Sequence, residues 1–232
     1  MKAGHWFLGM TAAFSMIIIL LISAFEVGIY SDFGWYEKEY KKYEVTEDLE
    51  MEIKDVMDVT EEMMAYLRGN REDLTVWTMV DKVEREFFNA REKAHMVDVQ
   101  QLFLGGLKLR FGAIIVLVLS LGSLIFAKGN WKRIVPKSFL IGCGVFFGVS
   151  GCLGVLIASD FNKYFFLFHE VFFDNDLWLL DPATDLMIRM LPEGFFFDMV
   201  IRIGGIFVGT LTILFVISMI VLYRQKSNKK DL

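Results

Sequence analysis

Apolar residues gather along the chain in four long blocks, roughly Trp6–Tyr30, Leu107–Ala127, Phe139–Ser159 and Met199–Tyr223. A helix of about 20 mostly apolar residues crosses the hydrocarbon of a bilayer, so each block predicts a membrane-spanning helix. The first block follows Lys2 and has the general form of a signal peptide, but its apolar length exceeds the ~7–15 residues of such an h-region. It is therefore read as an anchor. The result is one integral membrane domain over residues 1–232, with spans at 6–30, 107–127, 139–159 and 199–223. Segments 31–106 and 160–198, a loop at 128–138 and a tail at 224–232 lie between and after them. The fold class is all-α and polytopic.

The segments between the spans have patterns of their own. Leu49, Ile53, Val56, Met57, Met63, Met64 and Leu67 recur at close to helical spacing, which predicts a helix over Thr46 to Arg68 stopped by Gly69-Asn70. Thr75–Met79 and Val83–Phe87 predict a short β-hairpin around Asp81-Lys82. Asn89 with Glu92 three residues on resembles a capping box, and the helix it opens carries His95, Asp98 and Val99 on one face. From His95 to Leu107 a straight helix rises about 18 Å, which lifts His95 clear of the lipid unless the helix tilts or breaks at Gly105-Gly106. Lys108 and Arg110 either snorkel to the interface or line a polar cavity, the second being preferred. Segment 160–198 opens with the aromatic run Tyr164–Phe173 and continues through Asp174, Asp176, Asp181 and Asp185 to Phe195–Phe197. Aromatic density of this kind suits the headgroup region, where rings face acyl chains and acids face water.

Composition agrees with a membrane protein. Mean hydropathy is +0.45 and 55% of residues are hydrophobic, above the ~45–50% apolar content of soluble domains. The net charge of −5 argues against a nucleic-acid partner, which would want a basic face. Lys and Arg set orientation: the loop between spans two and three carries Lys128, Lys132, Arg133 and Lys137 without an acid, and the tail adds Arg224, Lys226, Lys229 and Lys230. Acids outnumber bases by 19 to 11 over residues 31–108 and by 8 to 2 over 160–198. Both termini are expected on the cytoplasmic side, with the two acidic segments extracellular.

His95 and His169 are the candidates for chemistry, each beside acids on the same expected side; His5 belongs to the opposite face and reads as interfacial. Histidine is the side chain whose ordinary pKa suits proton transfer near neutrality, though a single histidine is more often a hydrogen-bonded interface residue. A metal shell of His95, Asp98 and His169 with Glu170 or Asp174 is an alternative, but no His-Glu-x-x-His spacing occurs. Asp174-Asn175-Asp176 opens like a calcium loop yet has Leu179 where glycine is required. Cys143 and Cys152 fall in span three, where buried thiols are inert, and no Gly-x-Ser-x-Gly elbow is present. Any attacking atom is expected to belong to the substrate. The rival classes are a sensor or assembly protein with an acidic binding face, a His/Asp metal-dependent hydrolase, and a transporter. Few charges lie in the spans, with Glu26 and Arg202 near the outer ends, so no ion relay crosses them.

The run from Glu92 through His95, Asp98 and Val99 and the run from Phe168-His169 through Asp176, Trp178, Asp181-Pro182, Asp185, Pro192-Glu193 and Phe195-Phe196 resemble the two signatures of a known family. That family is the lipoprotein intramolecular transacylases (Lit) of Gram-positive bacteria, and the span order and length fit it as well. The resemblance implies a cell-membrane enzyme that acts on diacylglyceryl-modified lipoproteins among membrane lipids. It moves the sn-2 acyl chain to the α-amine of the same N-terminal cysteine and leaves a lyso-form lipoprotein, with no cofactor, metal or acyl-enzyme. On these positions His95 is expected to act as base and His169 as acid or oxyanion donor, or the two exchanged. Asp98, Asp176 and Asp181 are the orienting candidates. Trp178 and Phe195–Phe197 are expected to hold acyl chains, and Arg189 and Arg202 to guide the polar part of the substrate unless they form plain salt bridges.

Overall fold

The computed structural model describes residues 3–227, so Lys2, Lys229 and Lys230, which entered the orientation reading, lie outside the described residues. In chain order the elements are α1 (Ala3–Tyr30), α2 (Gly34–Lys42), α3 (Val45–Leu49), α4 (Ile53–Leu67), β1 (Trp77–Val80), β2 (Val83–Glu86), α5 (Ala90–Phe126), α6 (Trp131–Ser159), α7 (Phe161–Phe172), α8 (Leu186–Met190) and α9 (Glu193–Ser227). The four helices α1, α5, α6 and α9 are long and apolar enough to cross a membrane. Each extends past its apolar block. α5 runs 37 residues without interruption, so Gly105-Gly106 does not break it. α6 begins at Trp131 and reduces the expected 128–138 loop to a turn, in which Lys128 takes the left-handed conformation and the Gly129 N–H closes on the Leu124 carbonyl at 2.9 Å.

The chain divides into two units. Among the described residues the apolar unit comprises residues 3–27, Leu107–Ser159 and residues 203–227. Its helices meet through small residues: a Cβ on Gly9 would lie 2.5 Å from Ile134 Cγ2, and one on Gly142 would lie 3.1 Å from Ile17 Cδ1. Close backbone approach of this kind drives packing where lipid is as apolar as the side chains. Arg110 is not a lone cation here, since its guanidinium bonds the Glu26 carboxylate, while Lys108 is exposed. Cys143 is buried, but Cys152, expected to be buried too, is exposed on the surface of α6.

The polar unit, Gly28–Gly106 with Asp160–Arg202, has a core of its own. Tyr36, Tyr40, Leu49, Met63, Phe87 and Phe88 are fully buried in it. α2 was not expected, because Glu37, Lys38, Lys41 and Lys42 hide two anchors one turn apart, Tyr36 and Tyr40. Their hydroxyls are bonded as well as buried: Tyr36 donates to the Ile29 carbonyl at 3.0 Å and Tyr40 pairs with Thr60 at 2.6 Å. The helix expected over Thr46 to Arg68 is two helices, α3 and α4, divided where Glu50 turns left-handed. α4 then buries Val56, Val59, Thr60, Met63, Met64, Tyr66 and Leu67, one stripe of an amphipathic helix. The hairpin forms where expected, with Val80 opposite Val83 and both Asp81 and Lys82 at positive φ, as a two-residue reverse turn requires.

Candidate functional site

The site is built from the first turns of α5, the end of α7 and the loop after it, all within the polar unit. At the start of α5 the Asn89 N–H donates to Glu92 Oε2 at 2.7 Å, while Asn89 Oδ1 accepts from the N–H groups of Arg91 and Glu92 at 2.9 and 3.0 Å. This is the expected capping box, and it reaches further than the sequence indicated. The other oxygen of Glu92 accepts the Met187 N–H at 2.6 Å, and the Asn89 amide donates to Asp185 at 2.7 Å. Asp185 in turn accepts the Asp181 N–H at 2.7 Å. The helix start and the loop before α8 are thereby fastened by a carboxylate with no exposed surface. Burial is the largest influence on the Glu92 carboxyl and holds its pKa above the ordinary value, against the two backbone donors.

One turn along α5 lies His95, 6% exposed, and from α7 comes His169, 8% exposed. Their ring centres are 6.0 Å apart with the planes inclined at 37°. Phe173 sets an edge against His95 at 5.3 Å and also contacts His169 at 5.5 Å, closing the pair from the loop side. The two histidines expected to form one site do come together.

Their hydrogen bonds differ. His169 Nδ1 lies 2.7 Å from the Phe165 carbonyl, one turn back in α7. A carbonyl can only accept, so Nδ1 carries the hydrogen and Nε2 keeps its lone pair in the neutral ring. His95 Nδ1 is buried without a protein partner. Burial first, and then the neighbouring His169, push the His95 pKa down to about 4, with Asp98 opposing them. Burial also lowers His169, and its bond to the Phe165 carbonyl opposes that shift. Both shifts favour the neutral form of the ring.

The remaining predicted residues divide clearly. Asp98 accepts the Asn175 side-chain amide at 2.8 Å, and Asn175 accepts the Trp178 indole N–H on its carbonyl at 2.8 Å. Trp178 stacks on His169 with ring centres 5.0 Å apart and planes at 28°. Asp176 is engaged with Arg91, which donates to its carbonyl and lies 3.7 Å from its carboxylate. Asp181 shapes its own turn, accepting the Ala183 N–H at 2.9 Å. Arg189 is bonded to Asp48, with Nε 2.8 Å from the carboxylate, so the salt-bridge alternative describes it. Arg202 covers the Trp35 ring at 4.9 Å and lies 4.0 Å from Asp32. Phe195 belongs to the core, 3% exposed among Trp35, Tyr36 and Tyr40. Phe196 lies against Phe165 at 5.2 Å, and Phe197 against Phe161 at 5.4 Å. Both sit in the first turns of α9, which the sequence reading had left outside span four. Among the described residues, no three His, Cys, Asp or Glu side chains gather to hold a metal ion.

Four membrane-crossing helices together with a small, largely helical unit that buries a histidine pair define a multi-pass membrane protein with a polar site outside its apolar blocks. The chain belongs to the family described as lipoprotein intramolecular transacylase Lit, which matches it over residues 10–196 and is a family of acyltransferases. An uncharacterized protein of Aquifex aeolicus (strain VF5) is 33% identical over 148 residues, 62% of this chain. The matched part spans 59% of that relative, under two thirds of its length. Among solved structures, the membrane-integral Lit of Bacillus cereus superposes with a TM-score of 0.79 at 19% identity, covering 96% of this chain and 98% of that one. A variant of the same protein with a histidine replaced by alanine gives 0.73 at 19% identity over 96% of each chain. At that identity the likeness shows the fold.

Proposed function

We propose that this chain is an intramolecular acyltransferase that moves the sn-2 acyl chain of a diacylglyceryl-cysteine lipoprotein onto the α-amine of the same cysteine. The observation that carries the reading is the buried pair His95 and His169, ring centres 6.0 Å apart, in a chain of the Lit family. Aminolysis of an ester needs a neutral amine, and an α-amine with pKa ~7.7–8 is largely protonated at pH 7. The ammonium first loses one proton to water, and the free Nε2 of His169 takes a second from nitrogen as the neutral amine attacks the ester carbonyl. His95, too weakly basic to compete for that proton, offers an N–H to the oxyanion of the tetrahedral adduct. Collapse breaks the bond to the glycerol oxygen, and the His169 imidazolium returns the proton to that oxygen. The products are an amide on cysteine and a free sn-2 hydroxyl. Of the two sequence-based assignments, the hydrogen bond to Phe165 favours the exchanged one, with His169 as base.

Donor and acceptor belong to one substrate molecule, so holding them together supplies much of the effect; intramolecular reactions reach effective molarities of ~10⁵–10⁸ M. No acyl-enzyme is needed. The polar unit is read as extracellular and both termini as cytoplasmic, in keeping with Lys128, Lys132, Arg133 and Lys137 between spans two and three. α7 suits the lipid interface, since Phe166, Leu167, Val171 and Phe172 are exposed on it while His169 is buried.

Mass spectrometry of lipoprotein N-terminal peptides from cells expressing the chain tests the reading. One acyl chain should move from glycerol to the amine, and His169→Ala should slow the shift by ~10²–10⁴-fold. His95→Ala should reduce it as well. An unchanged lipid pattern in cells that express the chain well would falsify the activity. Full activity in both alanine variants would overturn the histidine roles.

A further inference from the structure

Trp178 was expected to hold an acyl chain, yet its indole is committed to other work. It stacks on His169 with ring centres 5.0 Å apart and planes 28° from parallel. Its N–H is tied to the Asn175 carbonyl at 2.8 Å, and Phe166 meets it edge-on at 5.3 Å and 82°. The Asn175 side chain is fixed in turn on Asp98, one turn beyond His95 in α5. The indole therefore has a defined seat over the imidazole, held from the helix that carries the other histidine.

We propose that Trp178 is a positioning residue that stabilises the imidazolium form of His169 by presenting the face of its indole to it. A cation within about 6 Å of a Trp centroid is attracted by the ring quadrupole, and Trp is the strongest of the aromatic partners. The neutral ring gains only dispersion there, so the stacking favours the protonated form selectively. The Phe165 carbonyl acts in the same direction from the other side, because it accepts the Nδ1–H at 2.7 Å. The titratable group facing His169 from α5 is His95, itself opposed by Asp98. On its own helix the neighbouring acid, Glu170, is exposed. In the following loop Asp174 and Asp176 are exposed, and Asp176 is engaged with Arg91. Burial disfavours a charged His169, and among the described residues no carboxylate is bonded to its ring, so the indole face, the Phe165 carbonyl and the Phe165 ring, centred 4.4 Å away, are what hold the proton when it arrives. The catalytic consequence rests on His169 being the base in the proposed acyl shift; the stacking effect does not.

The test replaces Trp178 in the full chain, held in detergent micelles, with tryptophans of increasing fluorine content, which drain the ring face of negative potential while keeping its shape. Histidine NMR signals are titrated without substrate, His169 being assigned by its loss in His169→Gln. The His169 midpoint should fall stepwise with fluorination, by about one pH unit at the end of the series. Trp178→Leu should match the end of the series. The His95 midpoint should move far less. A His169 midpoint indifferent to fluorine overturns the proposal, since shape is retained throughout. The rate of acyl transfer, read on the same proteins, separates the two ideas. A falling kcat at constant KM supports both; a falling midpoint with unchanged kcat keeps the stacking effect and counts against His169 as the base.

Discussion

In the apolar unit the most exposed side chains are as hydrophobic as the most buried. Leu119, Val155 and Ile213 stand on helix surfaces, while Ala12, Ala13, Leu124 and Leu211 are covered. α1 is the inner helix of this unit, with 39% of its apolar window covered against 11% for α6 and α9. The polar unit follows the other rule: charges lie outside, aromatic and aliphatic residues inside. Yet it also buries Glu92, His95, His169 and Asp185. The difference is one of solvent. Where lipid surrounds the helices, burial of apolar surface gives no driving force and packing depends on shape. Where water does, a hydrophobic core forms and can enclose polar groups, most of them with their hydrogen bonds made, as at Glu92 and Asp185, with His95 Nδ1 an exception. Among the described residues the chain keeps its buried carboxyl groups and histidines in the unit that has a core to hold them.

The comparison breaks most visibly at Glu92. Glu92→Leu removes the acceptor for the Met187 and Asn89 N–H groups, and each orphaned buried donor costs about 1–3 kcal/mol. Thermal unfolding in micelles should show the loss, with amide exchange rising around Met187 and Asn89 and staying slow in the apolar unit. An unchanged melt would mean the clamp contributes nothing.

Acidification should sort the two units next. The folded chain holds His95 neutral down to about pH 4, whereas the unfolded chain takes up that proton near 6.5. Between those values the unfolded state binds more protons. Stability is therefore full above about pH 6.5 and falls as the pH drops toward 4, by up to ~1.4 kcal/mol per unit. Melting curves across that window should show this slope, and His95→Phe should flatten it.

The smallest effects belong to the glycines of the apolar unit. Gly9→Ala should destabilise by about 1–3 kcal/mol, because its methyl would meet Ile134 and Ser138 within 2.6 Å. Gly148→Ala meets nothing within 4 Å and should be neutral or stabilising by less than about 1 kcal/mol. Equal losses in the two variants would deny that shape governs this unit.

The four spans, the hairpin and the capped start of α5 were legible because each is written in a local pattern: apolar length, paired short runs, and an Asn–x–x–Glu spacing. The break at Glu50 was not, since Leu49, Ile53 and Val56 keep helical spacing across it and no Gly or Pro marks the turn. α2 escaped for the opposite reason, its two tyrosine anchors standing among charges. In the site, the histidines were found by their chemistry, and the second partner of Glu92 was not. Nothing near Met187 announces that its N–H will meet a carboxylate 95 residues earlier. The core position of Phe195 was not legible, because its aromatic neighbourhood reads equally as a lipid-facing run or as a helix start. Only α9 beginning at Glu193, with Trp35, Tyr36 and Tyr40 around the ring, turns it inward.

The 95-residue separation between Glu92 and Met187 also sets a schedule for biosynthesis. At ~5–20 residues per second, the ribosome delivers Met187 about 5–20 s after Glu92. During that interval spans two and three are still being inserted, and the carboxylate destined for burial is left to water. His169 also follows His95 by most of that time. Until the loop before α8 has been made, the bond between Glu92 and the Met187 N–H cannot close, and the start of α5 waits for a partner that the chain supplies last.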